Sequence, residues 1–93
     1  MPKFVIERPL PGAGALSADE LQGIAQKSNE VLDSMAGRAQ WLQSYVTDDK
    51  IFCVYIADDV EAVQEHAKAG GFPCENVARV GTIIDPTTAE VYV

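Results

Sequence analysis

The hydrophobic period of this sequence changes near the middle of the chain, and that change sets the class of fold. Leu21, Ile24, Ala25, Ser28, Val31, Leu32 and Met35 fall at i, i+3, i+4, i+7, i+10, i+11 and i+14, the stripe of an amphipathic helix with one buried face. From Gln40 to Thr47 the period is two, with aromatic and β-branched residues prominent, and Ile51-Phe52-Cys53-Val54-Tyr55-Ile56-Ala57 is almost continuously apolar. Two such runs across Asp48-Asp49-Lys50 predict a β-hairpin, its second strand inside the sheet.

The flanks complete the order. Residues 3–8 read as a first strand, and Pro9-Leu10-Pro11-Gly12-Ala13-Gly14 as a loop that continues neither strand nor helix. Ser17 precedes Glu20 by three positions, the spacing of a capping box at the start of the first helix; Gly37 supplies its stop. Asp58 or Asp59 caps a second helix through the Lys68 region, closed by Gly70-Gly71, with Val60, Val63 and Ala67 on its inner face. Val77 to Ile84 make a last main strand stopped by Asp85-Pro86, and Glu90-Val91-Tyr92-Val93 adds a short fifth strand. The expected fold is α+β: one ferredoxin-like β-α-β-β-α-β domain over residues 1–93, an antiparallel sheet with both helices on one face.

A chain of 93 residues, 47 % of them hydrophobic, can form one core but leaves much of such a sheet uncovered. Pairing of two copies through the uncovered face, as a homodimer, is the expected remedy. In the hairpin, Gln40, Leu42, Ser44 and Val46 with Phe52, Val54 and Ile56 form the more aliphatic face, assigned to packing under the helices. Trp41, Gln43, Tyr45 and Thr47 with Ile51, Cys53 and Tyr55 form the other, suited to an interface or a lined cavity. Phe4 and Ile6 join one face and Val5 and Glu7 the other; Glu7 is grouped provisionally with Cys53.

Fourteen acidic residues against seven basic ones give a formal charge of −7. Without a basic patch the chain is a poor partner for nucleic acid or an anionic membrane surface, and cations are its natural small partners. No signal peptide and no membrane-length apolar run is seen, so the expected compartment is the cytoplasm, with Cys53 and Cys74 as reduced thiols. The one histidine, His66, flanks the buried face of the second helix, with Glu65 beside it and Glu61 one turn back. Imidazole suits nickel, copper or zinc, and carboxylates can complete a shell. Glu61 and Glu65 share a direction, whereas His66 points about a quarter-turn away, so a complete site needs ligands from elsewhere, such as a second subunit. No catalytic triad, phosphate-binding glycine loop or zinc spacing is present.

Three stretches carry a resemblance over nearly the whole chain. They are Ser44-Tyr45-Val46-Thr47-Asp48-Asp49-Lys50 running into Phe52-Cys53-Val54-Tyr55, then Glu65-His66-Ala67 before Gly70-Gly71-Phe72-Pro73, then Ile84-Asp85-Pro86. With Phe4-Val5-Ile6-Glu7-Arg8 they resemble a family of small bacterial proteins, long described as of unknown function and now as nickel-binding-like. The resemblance implies a ferredoxin-like homodimer that binds or sequesters nickel, without an established enzyme activity; His66 and Glu65 match the family segment. Two further readings stand beside it. One is an enzyme of the dimeric α+β-barrel type, a cofactor-independent oxygenase or isomerase built around Trp41, Tyr45, Tyr55 and Cys53. The other is a structural or stress-associated module with no small ligand.

Overall fold

The computed structural model describes residues 1–90. Strand β1 (Lys3–Pro9) is followed by a short 3-10 turn (Ala13–Ala15), helix α1 (Ala18–Asp33), strands β2 (Ala39–Val46) and β3 (Lys50–Ala57), helix α2 (Val60–Gly70), strand β4 (Asn76–Arg79) and a second 3-10 turn (Pro86–Ala89). The sheet order is β2-β3-β1-β4 with every neighbouring pair antiparallel, the ferredoxin-like arrangement. Among the described residues, no helix is long and apolar enough to cross a membrane.

Local chemistry explains the helix boundaries. Ser17 Oγ accepts from the Glu20 backbone N–H at 3.2 Å, and the Glu20 carboxylate accepts from the Ser17 N–H at 3.1 Å. These two bonds satisfy donors that a helix start leaves open. Asp59 caps α2 by accepting from the Ala62 N–H at 2.8 Å, and Gly71, at φ 69°, ends it in the left-handed region that favours glycine. The turn after α1 uses Ala36 as well as Gly37, at φ 54° and 78°.

The two faces of the sheet are the reverse of the sequence expectation. Phe4, Ile6 and Arg8 on β1 stand opposite Tyr55, Cys53 and Ile51 on β3, and all six are buried beneath the helices with Ala57, Ala62, Val63 and Ala67. Phe52, Val54 and Ile56 lie on the open face. In β2 a register shift between Trp41 and Gln43 places Trp41 opposite Tyr55 but Ser44 opposite Cys53. That shift takes up Leu42 and splits the expected alternation. Trp41, Ser44 and Val46 line the helix side, whereas Gln43 and Tyr45 stand opposite Val54 and Phe52. Glu7 likewise separates from Cys53, on the open face where Lys50 Nζ bonds its carboxylate at 2.5 Å and Asn76 Nδ2 at 3.2 Å.

The last strand is shorter than expected, and the ladder shows why. Phe4 pairs with Arg79, and the Val80 N–H donates to the Lys3 carbonyl at 2.8 Å, at the residue where β1 begins. The Thr82-Ile83-Ile84 run therefore lies outside the sheet, with Ile83 and Ile84 exposed. The expected fifth strand, Glu90 to Val93, extends beyond the described residues; Glu90 itself follows the second 3-10 turn.

Candidate functional site

The same alternation that buries Phe4 and Ile6 carries Arg8 into the core, where its residue is only 4 % exposed. A guanidinium cannot shed its charge there, so its donors need partners. Arg8 Nε donates to Cys53 Sγ at 3.3 Å and Nη1 to the Pro73 carbonyl at 2.6 Å. The guanidinium carbon lies 5.9 Å from the Tyr55 ring centroid and 5.5 Å from that of Phe72, within cation–π range. Nη2 is buried without a hydrogen-bond partner. Burial acts to lower the Arg8 pKa, but Cys53 and Tyr55 oppose it and the net direction is upward.

His66 closes the other side of this cluster. Helix α2 delivers it at 1 % exposure between two rings, 5.2 Å from Tyr55 and 5.5 Å from Phe72, the latter stacked. Its Nε2 hydrogen-bonds Ser28 Oγ of α1 at 3.1 Å, and its Nδ1 is buried without a partner. Burial, then the Arg8 charge, pushes its pKa below the ordinary value, with Ser28 acting the other way. A neutral imidazole beside a fixed guanidinium is the result. Burial also raises the Tyr55 phenol, an effect that the positive Arg8 partly counters.

Above Arg8, Cys53 and Tyr55, between α1 and the sheet, lies a cavity of about 390 Å³. Leu21, Ile24, Ala25 and Ser28 of the α1 stripe form its roof, and Trp41, Ser44, Val46 and Ile51 its floor. This cavity explains why the α1 stripe has the expected spacing yet only Ser28 of that helix is fully buried. Trp41 Nε1 donates to Ser44 Oγ at 2.9 Å and fixes the indole at the edge. The cavity is predominantly apolar, in contrast with the polar enclosure that the oxygenase or isomerase reading requires.

The three expected metal ligands are distributed differently. Glu61 and Glu65 are exposed on α2, and Glu65 is engaged by Arg38 Nη1 at 2.6 Å. His66 faces the core. Among the described residues, no three His, Cys, Asp or Glu side chains gather closely enough to hold a metal ion. Cys53 is a buried free thiol and Cys74 a half-buried one. Arg8 escaped sequence reasoning because a strand-end arginine is normally solvated; its phase with Phe4 and Ile6 was the available sign. Ser28, a polar residue inside the apolar stripe, was the corresponding sign for a buried polar partner.

The crystal structure of SCO4226 from Streptomyces coelicolor A3(2) superposes with a TM-score of 0.75 at 18 % identity, covering 88 % of this chain and 99 % of that one. No curated protein matches the chain. A family model described as nickel responsive protein SCO4226-like matches residues 4–80. The chain belongs to this SCO4226-like family of nickel responsive proteins.

Proposed function

We propose that this protein binds nickel as cargo, outside its core, and works as a homodimer rather than as an enzyme. The observation that carries the reading is the family match across residues 4–80. The core is a poor place for the ion. Around His66 the nearest fixed charge is the Arg8 guanidinium, and a divalent cation brought there meets repulsion without a converging set of donors.

The exposed side of α2 suits the ion better. Glu61 and Glu65 lie one helical turn apart, on a chain of formal charge −7. Nickel there competes with Arg38 for Glu65, an exposed ion pair of the kind that contributes little. The remaining ligands are water or groups of a second copy. Pairing is favoured by the open sheet face, where Val5, Phe52, Val54 and Ile56 stay partly accessible and Tyr45 is exposed.

Thermal melting of tag-free protein across nickel, zinc and magnesium, with sedimentation of the same samples, tests this reading. A nickel-selective rise in melting temperature on a dimer is the expected result, since a ligand of the folded state stabilises it. No shift with nickel on a monomer overturns it.

A further inference from the structure

We infer that the cavity between α1 and the sheet is a binding site for a small monocarboxylate with an apolar tail, held by Arg8. Its volume of about 390 Å³ lies in the ~300–1,000 Å³ range of small-molecule sites. The lining combines one cation with no carboxylate at all, in a chain with twice as many acidic as basic residues. That contrast excludes a cationic ligand and calls for an anion.

Arg8 is itself 4 % exposed, with Nε and Nη1 engaged by Cys53 and Pro73 and the guanidinium beside Tyr55. Among the described residues no carboxylate forms an ion pair with it, so its buried charge has no counter-ion. A carboxylate in the cavity, which Arg8 lines, supplies one. Ser44 adds a second donor: its oxygen accepts from Trp41 Nε1, which leaves its own hydroxyl hydrogen available. The rest of the ligand meets Leu21, Ile24, Trp41 and Ile51, so an alkyl or aryl tail is preferred to a polar one. Entry is open, because Val46 on the lining is 42 % exposed. The cavity lies across the sheet from the open face, so it is independent of pairing and of nickel.

Trp41, the one tryptophan of the chain, reports occupancy directly. Octanoate, 1-octanol and octylammonium are titrated into the wild-type protein while Trp41 emission and calorimetric heat are followed. The expected result is saturable octanoate binding at least tenfold tighter than 1-octanol, with octylammonium weaker still. Arg8→Met keeps the aliphatic stem and removes the charge; it should abolish the preference for acid over alcohol. Because Arg8→Met also frees the Pro73 carbonyl, Ala25→Leu provides a variant that fills the cavity and leaves Arg8 in place. It should weaken octanoate at least tenfold. Absence of saturable octanoate binding, equal affinity for 1-octanol, or full affinity in folded Ala25→Leu overturns the inference.

Discussion

Ser28 of α1 and His66 of α2, thirty-eight positions apart in sequence, share a 3.1 Å hydrogen bond that ties the two helices together inside the core. Because His66 Nδ1 is already unpaired, Ser28→Ala leaves the imidazole with no hydrogen-bond partner. The expected cost is about 1–3 kcal/mol, read as a lower urea midpoint with unchanged m.

The same imidazole makes stability depend on pH. His66 titrates near its ordinary 6.5 when unfolded and lower when folded, chiefly through burial and then through Arg8. Between those two values the unfolded chain binds more protons. Stability from this group is therefore complete above about pH 6.5 and is lost as pH falls through the folded value. Urea unfolding at pH 7.5 and 5.5 should show this loss, and His66→Phe, which keeps a ring between Tyr55 and Phe72, should show a smaller one.

Two glycines predict opposite outcomes for one substitution. A Cβ on Gly14 would stand 2.9 Å from the Asp48 Cα, where the Gly14 N–H also donates to the Asp48 carbonyl at 2.9 Å. Backbone cannot yield easily, so Gly14→Ala should destabilise by about 1–3 kcal/mol. Gly23, inside α1, has nothing within 4 Å of such a Cβ, and Gly23→Ala should stabilise by roughly 0.5–1 kcal/mol through helix propensity. Chemical denaturation of both variants checks the pair of signs.

Pairing through the open face predicts that a charge at its centre separates the copies. Val54 pairs with Val5 on one side and Gln43 on the other, in the middle of that face. Val54→Glu should sediment as a monomer at concentrations where the wild type is a dimer, with its helical content unchanged. A wild type that is monomeric throughout contradicts the pairing.

The sequence revealed what depends on local rules and concealed what depends on phase. Ser17-Glu20 and Asp59 act through neighbours three residues away, so both caps were legible, as was the α1 stripe. Which hairpin face enters the core depends on how β1 pairs with β3 and on the register shift at Leu42, neither of which leaves a local mark. The chemistry went with the phase. Cys53 and Tyr55 moved from an expected outer face to the interior, where Arg8, given no face by the sequence, joins them, and His66 moved from a helix flank to the core beside them. The length of β4 was hidden for a related reason: it ends where β1 begins, not where its own apolar run stops.

The central claim, nickel held outside the core by the carboxylates of α2, is tested most directly by calorimetric titration of nickel into three tag-free proteins. The wild type should give a saturable isotherm, weakened at least about tenfold, or 1.4 kcal/mol, in the Glu61→Gln/Glu65→Gln double variant. His66→Phe should bind nickel as the wild type does. No heat above buffer in the wild type, or a loss in His66→Phe that the double variant does not share, would contradict the account.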